Sequence, residues 1–67
     1  MHIVVNGESR EVVPPPGTLA DLVRSLGLEN RRIAVEHNGE VVPRSLHSET
    51  RIGDGDRIEI VHAVGGG

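Results

Sequence analysis

Apolar side chains recur along this chain first at every second position, then at every third or fourth, then at every second again. Ile3 and Val5 alternate with His2 and Val4, the spacing of a strand that buries one face. Asn6-Gly7 follows at once, and 10–13 forms a second short apolar run. Asparagine and glycine both tolerate the positive φ of a tight hairpin turn, so the pattern predicts strands over 2–6 and 9–13. Pro14, Pro15 and Pro16 then stop the sheet, because proline lacks the N–H a ladder needs, and Gly17 lets the chain redirect. Leu19, Leu22, Val23 and Leu26 fall at i, i+3, i+4 and i+7, one stripe of a helix of roughly eight to ten residues. Thr18 is placed as its N-cap, Asp21 favours the positive first turn, and Gly27 suits a left-handed C-cap. So short a helix does not hold itself in water. Its stripe must pack on the sheet, with Leu28 closing the contact just past the cap.

Glu29-Asn30-Arg31-Arg32 reads as a polar connection, and 33–36 as a third strand. A second Asn-Gly pair, Asn38-Gly39, turns the chain into a short fourth strand at Val41 and Val42 that Pro43 ends. The stretch 44–50 has no clean period and reads as an irregular loop with at most one short helical turn, pinned by Leu46. Gly53-Asp54-Gly55-Asp56 is a sharp polar turn into the last strand, where Ile58 and Ile60 alternate with Arg57 and Glu59. Strand, strand, helix, strand, strand, strand is the order of an α+β, ubiquitin-like β-grasp. In it a mixed sheet of four to five strands carries one main helix on one face, and the last strand lies parallel to the first at the sheet centre. This arrangement predicts a shared core of Ile3, Val5, Leu22, Leu26, Ile58 and Ile60. The domain is expected over 1–64, with a flexible tail at 65–67.

Composition removes several functions. The chain has 67 residues, which is near the lower limit for a self-sufficient core. It has no Cys, so neither a disulfide nor a cysteine-based metal site can staple it. No Phe, Tyr or Trp is present for stacking on bases, and the net charge is −3, so nucleic acid is not an expected partner. With no Cys and no Lys there is neither a thiol nucleophile nor an amine for a Schiff base. No apolar run approaches the length of a membrane span. The absence of Cys suits the cytosol.

What is left is the terminus. After Ala63 and Val64 come only Gly65, Gly66 and Gly67, so a core strand runs into a backbone without side chains. Such an arm fits a channel too narrow for other residues and presents one chemical group, its carboxylate. From His62 to Gly67 it reaches roughly 17 Å at ~3.3–3.6 Å per residue, enough to enter another protein's active site.

MHIVVNGE at the start, TLADLV in the helix, IAVEHNGEVVPRS in the middle and GDGDRIEIVHAVGGG at the end together cover most of the chain. In these segments the sequence resembles the ubiquitin-like sulfur carriers, most nearly those of thiamine biosynthesis, the ThiS type. The middle segment is the most specific: a strand ending in Asn, a short return strand, then Val-Pro-Arg. The resemblance implies that the Gly67 carboxylate is the sulfur attachment point, first as an acyl-adenylate and then as a thiocarboxylate. It implies recognition of Gly65 and Gly66 by an adenylyltransferase of the ubiquitin-activating, ThiF type, which uses ATP and Mg²⁺. A persulfide protein is the implied sulfur donor and a thiazole synthase of the ThiG type the implied acceptor. On this reading the chain is no enzyme, binds no cofactor, works in the cytoplasm and is a monomer when alone. The family usually ends in Gly-Gly, and this chain has three glycines. If Gly67 were trimmed, the reactive carboxylate would pass to Gly66.

Val61, Ala63 and Val64, with Leu46, form either a partner-docking patch beside the arm or packing at the helix side or sheet edge. His2, His37, His47 and His62 lack metal-ligand spacing, and no metal site is expected. Glu36, Glu40, Asp54 and Asp56 bracket or occupy turns, Arg31 and Arg32 a solvated connection that can meet an acidic partner. Two other functions remain open at this point: a carrier for another acceptor, such as molybdopterin or tRNA thiolation, and a β-grasp interaction module with an unreactive tail. They differ in whether Gly67 must be free.

Overall fold

The computed structural model describes residues 1–63. The elements are β1 (His2–Val5), β2 (Glu8–Glu11), α1 (Leu19–Ser25), β3 (Ile33–His37), β4 (Glu40–Val42), a 3-10 turn (Arg44–Leu46) and β5 (Arg57–His62). The sheet has five strands in the order β2-β1-β5-β3-β4, with β5 parallel to β1 and antiparallel to β3. The last strand thus lies beside the first at the centre, as the element order predicts. Among the described residues no helix is long and apolar enough to cross a membrane.

Both hairpins close on two-residue turns. Asn6 and Gly7 have φ of 50° and 82°, Asn38 and Gly39 of 50° and 90°, the positive pairs that match the twist of the flanking strands. This geometry fixes register: Val5 faces Glu8 and His37 faces Glu40. It also shifts β2 from the expected 9–13 to Glu8–Glu11, and its four residues are all exposed. The ladder runs out where β1 does, one bond further on, as the Val12 N–H donates to the Met1 carbonyl (2.8 Å). Val12 is buried, but Val13, expected in the strand, is 78% exposed.

The helix is bounded by its own sequence. The Thr18 hydroxyl accepts the Asp21 N–H, and the Asp21 carboxylate accepts the Thr18 and Gly17 N–H groups, each at 3.2 Å. This is a capping box with Asp in the third position. At the other end Gly27 has φ +75°. Its N–H donates to the Arg24 carbonyl (2.9 Å) and the Leu28 N–H to that of Val23 (3.0 Å), the paired bonds of a Schellman motif. Leu28 then packs on the core, as expected.

Ile3, Val5, Val12, Leu19, Leu22, Val23, Val35, Ile52, Ile58 and Ile60 form the buried cluster, with Leu26 partly buried at its rim. The loop after β4 is held differently from the expectation. Leu46 is 45% exposed, and His47 beside it is 7% exposed. At three residues per turn, the 3-10 segment carries Leu46 outward and His47 inward. The His47 Nε2–H donates to the Val42 carbonyl (3.1 Å), which sets the imidazole tautomer. The His47 and Thr50 carbonyls accept the Ala20 and Leu19 N–H groups, two helix-start donors with no partner inside the helix.

Candidate functional site at the end of the central strand

Everything that positions the terminus converges on β5. Its even-numbered residues Ile58 and Ile60 are buried under the helix, while Arg57, Glu59 and Val61 are exposed on the opposite face. Two turn asparagines grip the strand. The Asn38 side-chain oxygen accepts the Arg57 N–H (2.9 Å), and the Asn38 N–H donates to the Arg57 carbonyl (2.8 Å). Further along, the Asn6 amide accepts the Ile60 N–H (2.7 Å) and donates to the Ile60 carbonyl (3.2 Å). The last described residue is tied as well: the Ala63 N–H donates to the Arg32 carbonyl at 2.9 Å. The base of the tail is therefore a fixed platform. Gly65, Gly66 and Gly67, the expected tail and attachment point, lie outside the described residues, as does Val64.

On the face away from the helix, Val61 pairs with Ala34, and Glu59 pairs with Glu36, which in turn pairs with Val41. Val61 is 59% and Val41 69% exposed, and Ala34 and Ala63 are exposed too. These residues make an apolar patch with two carboxylate-bearing positions at its centre. Leu46 does not join it. Its loop bonds the start of α1, on the other side of the sheet.

The charges around the platform are ordered by hydrogen bonds. Arg44 donates to the Arg31 carbonyl, so Arg31, Arg32 and Arg44 all border the point where the chain leaves the sheet. Beside them is a cleft of about 170 Å³ lined by Val23, Ile33, Arg44 and His47 among others. That is below the roughly 300–1,000 Å³ of pockets that enclose small ligands. At the start of β5, His37 Nε2–H donates to Asp56 (2.8 Å) and the Gly53 N–H to the same oxygen (2.8 Å). The imidazole bond, more than any other contact, holds Asp56 below the usual carboxylate range. The N-terminal ammonium and His2, in that order, do the same for Glu11. His2 also bonds Ser9 (2.6 Å), so serine, imidazole, carboxylate and ammonium form one chain of contacts across the exposed β1–β2 pair. The imidazoles of His2, His37 and His47 thus go to three different places, and among the described residues no three His, Asp or Glu side chains cluster to hold a metal.

Sequence reasoning read Asn6 and Asn38 as turn formers and missed that both side chains bind β5. It also passed over Glu36 with Glu59, whose pairing appears only once the register of β3 on β5 is known.

The family model of the ThiS family matches residues 3–67. The sulfur carrier protein ThiS of Bacillus subtilis is 41% identical over 63 residues, covering 94% of this chain and 96% of that protein. A thiazole synthase of Paramagnetospirillum magneticum is 42% identical over all 67 residues, and this chain spans only 20% of its length. Among solved structures, the thiamine biosynthesis protein ThiS from Geobacter metallireducens superposes with a TM-score of 0.85 at 32% identity, covering the whole of both chains. A capped helix on a five-stranded sheet, a central last strand and a match that runs through the final glycine lead to one assignment: the chain belongs to the ThiS family.

Proposed function

We propose that this protein is a sulfur carrier for thiazole formation in thiamine biosynthesis and that its Gly67 carboxylate is the carrying group. The observation that supports this most directly is the family match through residue 67, joined to a central strand that leads into Gly65, Gly66 and Gly67.

A carboxylate is a poor acyl donor because its oxygens leave badly. In the proposed cycle a Gly67 oxygen attacks the α-phosphorus of ATP on an adenylating partner of the ThiF type, with Mg²⁺ held there, and pyrophosphate leaves. A persulfide on a donor protein then attacks the acyl carbon and displaces AMP. A thiol then attacks the donor-side sulfur of the remaining S–S bond, forming a disulfide with the donor's cysteine and releasing the thiocarboxylate. Sulfur passes next to a thiazole synthase, an acceptor suggested by the thiazole synthases that contain a segment similar to this whole chain. The chain is substrate and carrier, with acid–base and metal chemistry in its cytoplasmic partners. Gly65 and Gly66 thread the partner's channel, and Val61 and Ala63 on the open sheet face dock beside it.

The test is intact mass after incubation with ATP, Mg²⁺, a sulfide or persulfide donor and the adenylating partner. Replacement of one oxygen by one sulfur, located by fragmentation to the last glycine, is the expected result. No change, with the partner active on a known carrier, would leave the protein as an unreactive interaction module.

A further inference from the structure

Glu36 and Glu59 are directly opposed across the β3–β5 pair, on the face away from the helix. Like charges in facing positions of a sheet repel and destabilise it. Among the described residues neither carboxylate forms an ion pair. Arg57, the next residue of β5 on the same face, makes none either. Around them stand Val41 and Val61, two of the most exposed large apolar side chains in the molecule, with Ala34 beside Val61. Neither feature helps the isolated protein: one repels itself and the other wets apolar surface. Both are relieved by one kind of surface, a cation seated between the carboxylates and ringed by apolar contacts. The patch is also continuous with the base of the tail, since Val61 lies two residues before Ala63.

Resting on the carrier reading above, we infer that the Glu36–Glu59 pair receives an arginine or lysine side chain of the adenylating partner and is the polar determinant of docking on the open sheet face. The pair sets the partner's position before the tail carboxylate is engaged. It therefore governs how tightly the carrier binds and not how fast the bound carboxylate reacts.

The experiment compares the wild-type chain with E36Q/E59Q, using the adenylating enzyme of the same organism and following pyrophosphate release with carrier concentration and salt. Glutamine keeps size and strand geometry, so the double variant folds. Its melting midpoint is expected to rise by roughly 2–5 °C as the repulsion is removed. Its apparent KM is expected to rise about tenfold or more with kcat within about twofold, and the salt dependence of KM to flatten. E8Q/E49Q removes the same two charges at exposed positions that make no ion pair among the described residues and lie off this face. It is expected to leave KM unchanged, and an equal rise in KM would overturn the inference in favour of general charge. An E36Q/E59Q chain with unchanged KM and salt dependence overturns the inference while the carrier reading stands. Weaker binding of E36Q/E59Q to thiazole synthase, with the KM of adenylation unchanged, overturns it too. A wild-type chain that releases no pyrophosphate, with the enzyme active on a known carrier, removes the carrier reading and this inference together.

Discussion

The side-chain amide of Asn6 pairs with both backbone groups of Ile60, standing in for the strand residue that β1 no longer supplies once it turns away. Val5 is the last residue of β1 to face β5, opposite Ile58. Without Asn6, the two polar groups of Ile60 on that side would lose their protein partners. Asn6→Gly keeps the positive φ the turn requires and deletes the amide. It is expected to cost about 1–3 kcal/mol, at ~0.5–1.5 for each bond lost, read as a lower denaturant midpoint. Faster hydrogen exchange at Ile60 would locate the damage.

Ile58 is 1% exposed and faces the helix from the middle of the sheet. Ile58→Ala should cost about 2–5 kcal/mol through lost burial and the cavity left behind. At ~0.05–0.15 kcal/mol per residue, so small a domain has only about 3–10 kcal/mol to lose. Loss of the cooperative thermal transition near room temperature, or a midpoint far below wild type, is the expected reading by circular dichroism.

Thr18 and Asp21 satisfy each other's backbone N–H groups at the helix start. Thr18→Ala removes the cap and is expected to destabilise by roughly 0.5–2 kcal/mol. Thr18→Ser, which keeps the hydroxyl, should recover most of it in the same denaturation series.

Asp56 is held below the ordinary aspartate value of 3.8, first by the His37 imidazole and then by the Gly53 N–H. Between that value and the lower folded one the unfolded chain binds more protons, so stability rises with pH across this window. The contribution is complete above about pH 4 and fades as acid carries the solution through the folded value. Asp56→Asn should lower stability at neutral pH and flatten this part of the acid profile, seen by measuring the urea midpoint from about pH 2 to about pH 7.

Val61 is exposed, and its neighbour Ile60 is buried. Val61→Asp is expected to keep stability within about 0.5 kcal/mol of wild type, as surface substitutions do, and, on the proposed function, to lose binding to an adenylating enzyme of the ThiF type. Ile60→Asp should unfold the domain. Equal unfolding by both would assign Val61 to packing instead of docking.

Local chemistry was readable from the chain. Asn6-Gly7 and Asn38-Gly39 announce positive φ, Thr18 with Asp21 announces a cap, and Ile58 with Ile60 announces a buried face. Each of these signals acts within a few residues of itself. What depends on distant partners was not readable. The grip of Asn6 on Ile60 spans 54 positions and exists only after the sheet has formed. The opposition of Glu36 and Glu59 needs the β3–β5 register, and the exclusion of Leu46 from the Val61 face needs to be known from where its loop docks. The substitution of His47 for Leu46 as the loop's anchor turned on a three-residue period where the sequence shows none.

Because β5 sits between β1 and β3, it is the one strand that joins the two hairpins into a single sheet. The first 56 residues encode two strand pairs and a helix but not the strand between them that completes the core. The chain can close only after its last strand has emerged, a step made slow by the sequence distance between β1 and β5. A copy cut short before that strand stays open and exposed to proteolysis. Folding thereby acts as a proofreading step for the carrier, since a stable copy is one in which translation has already reached the threshold of the glycines.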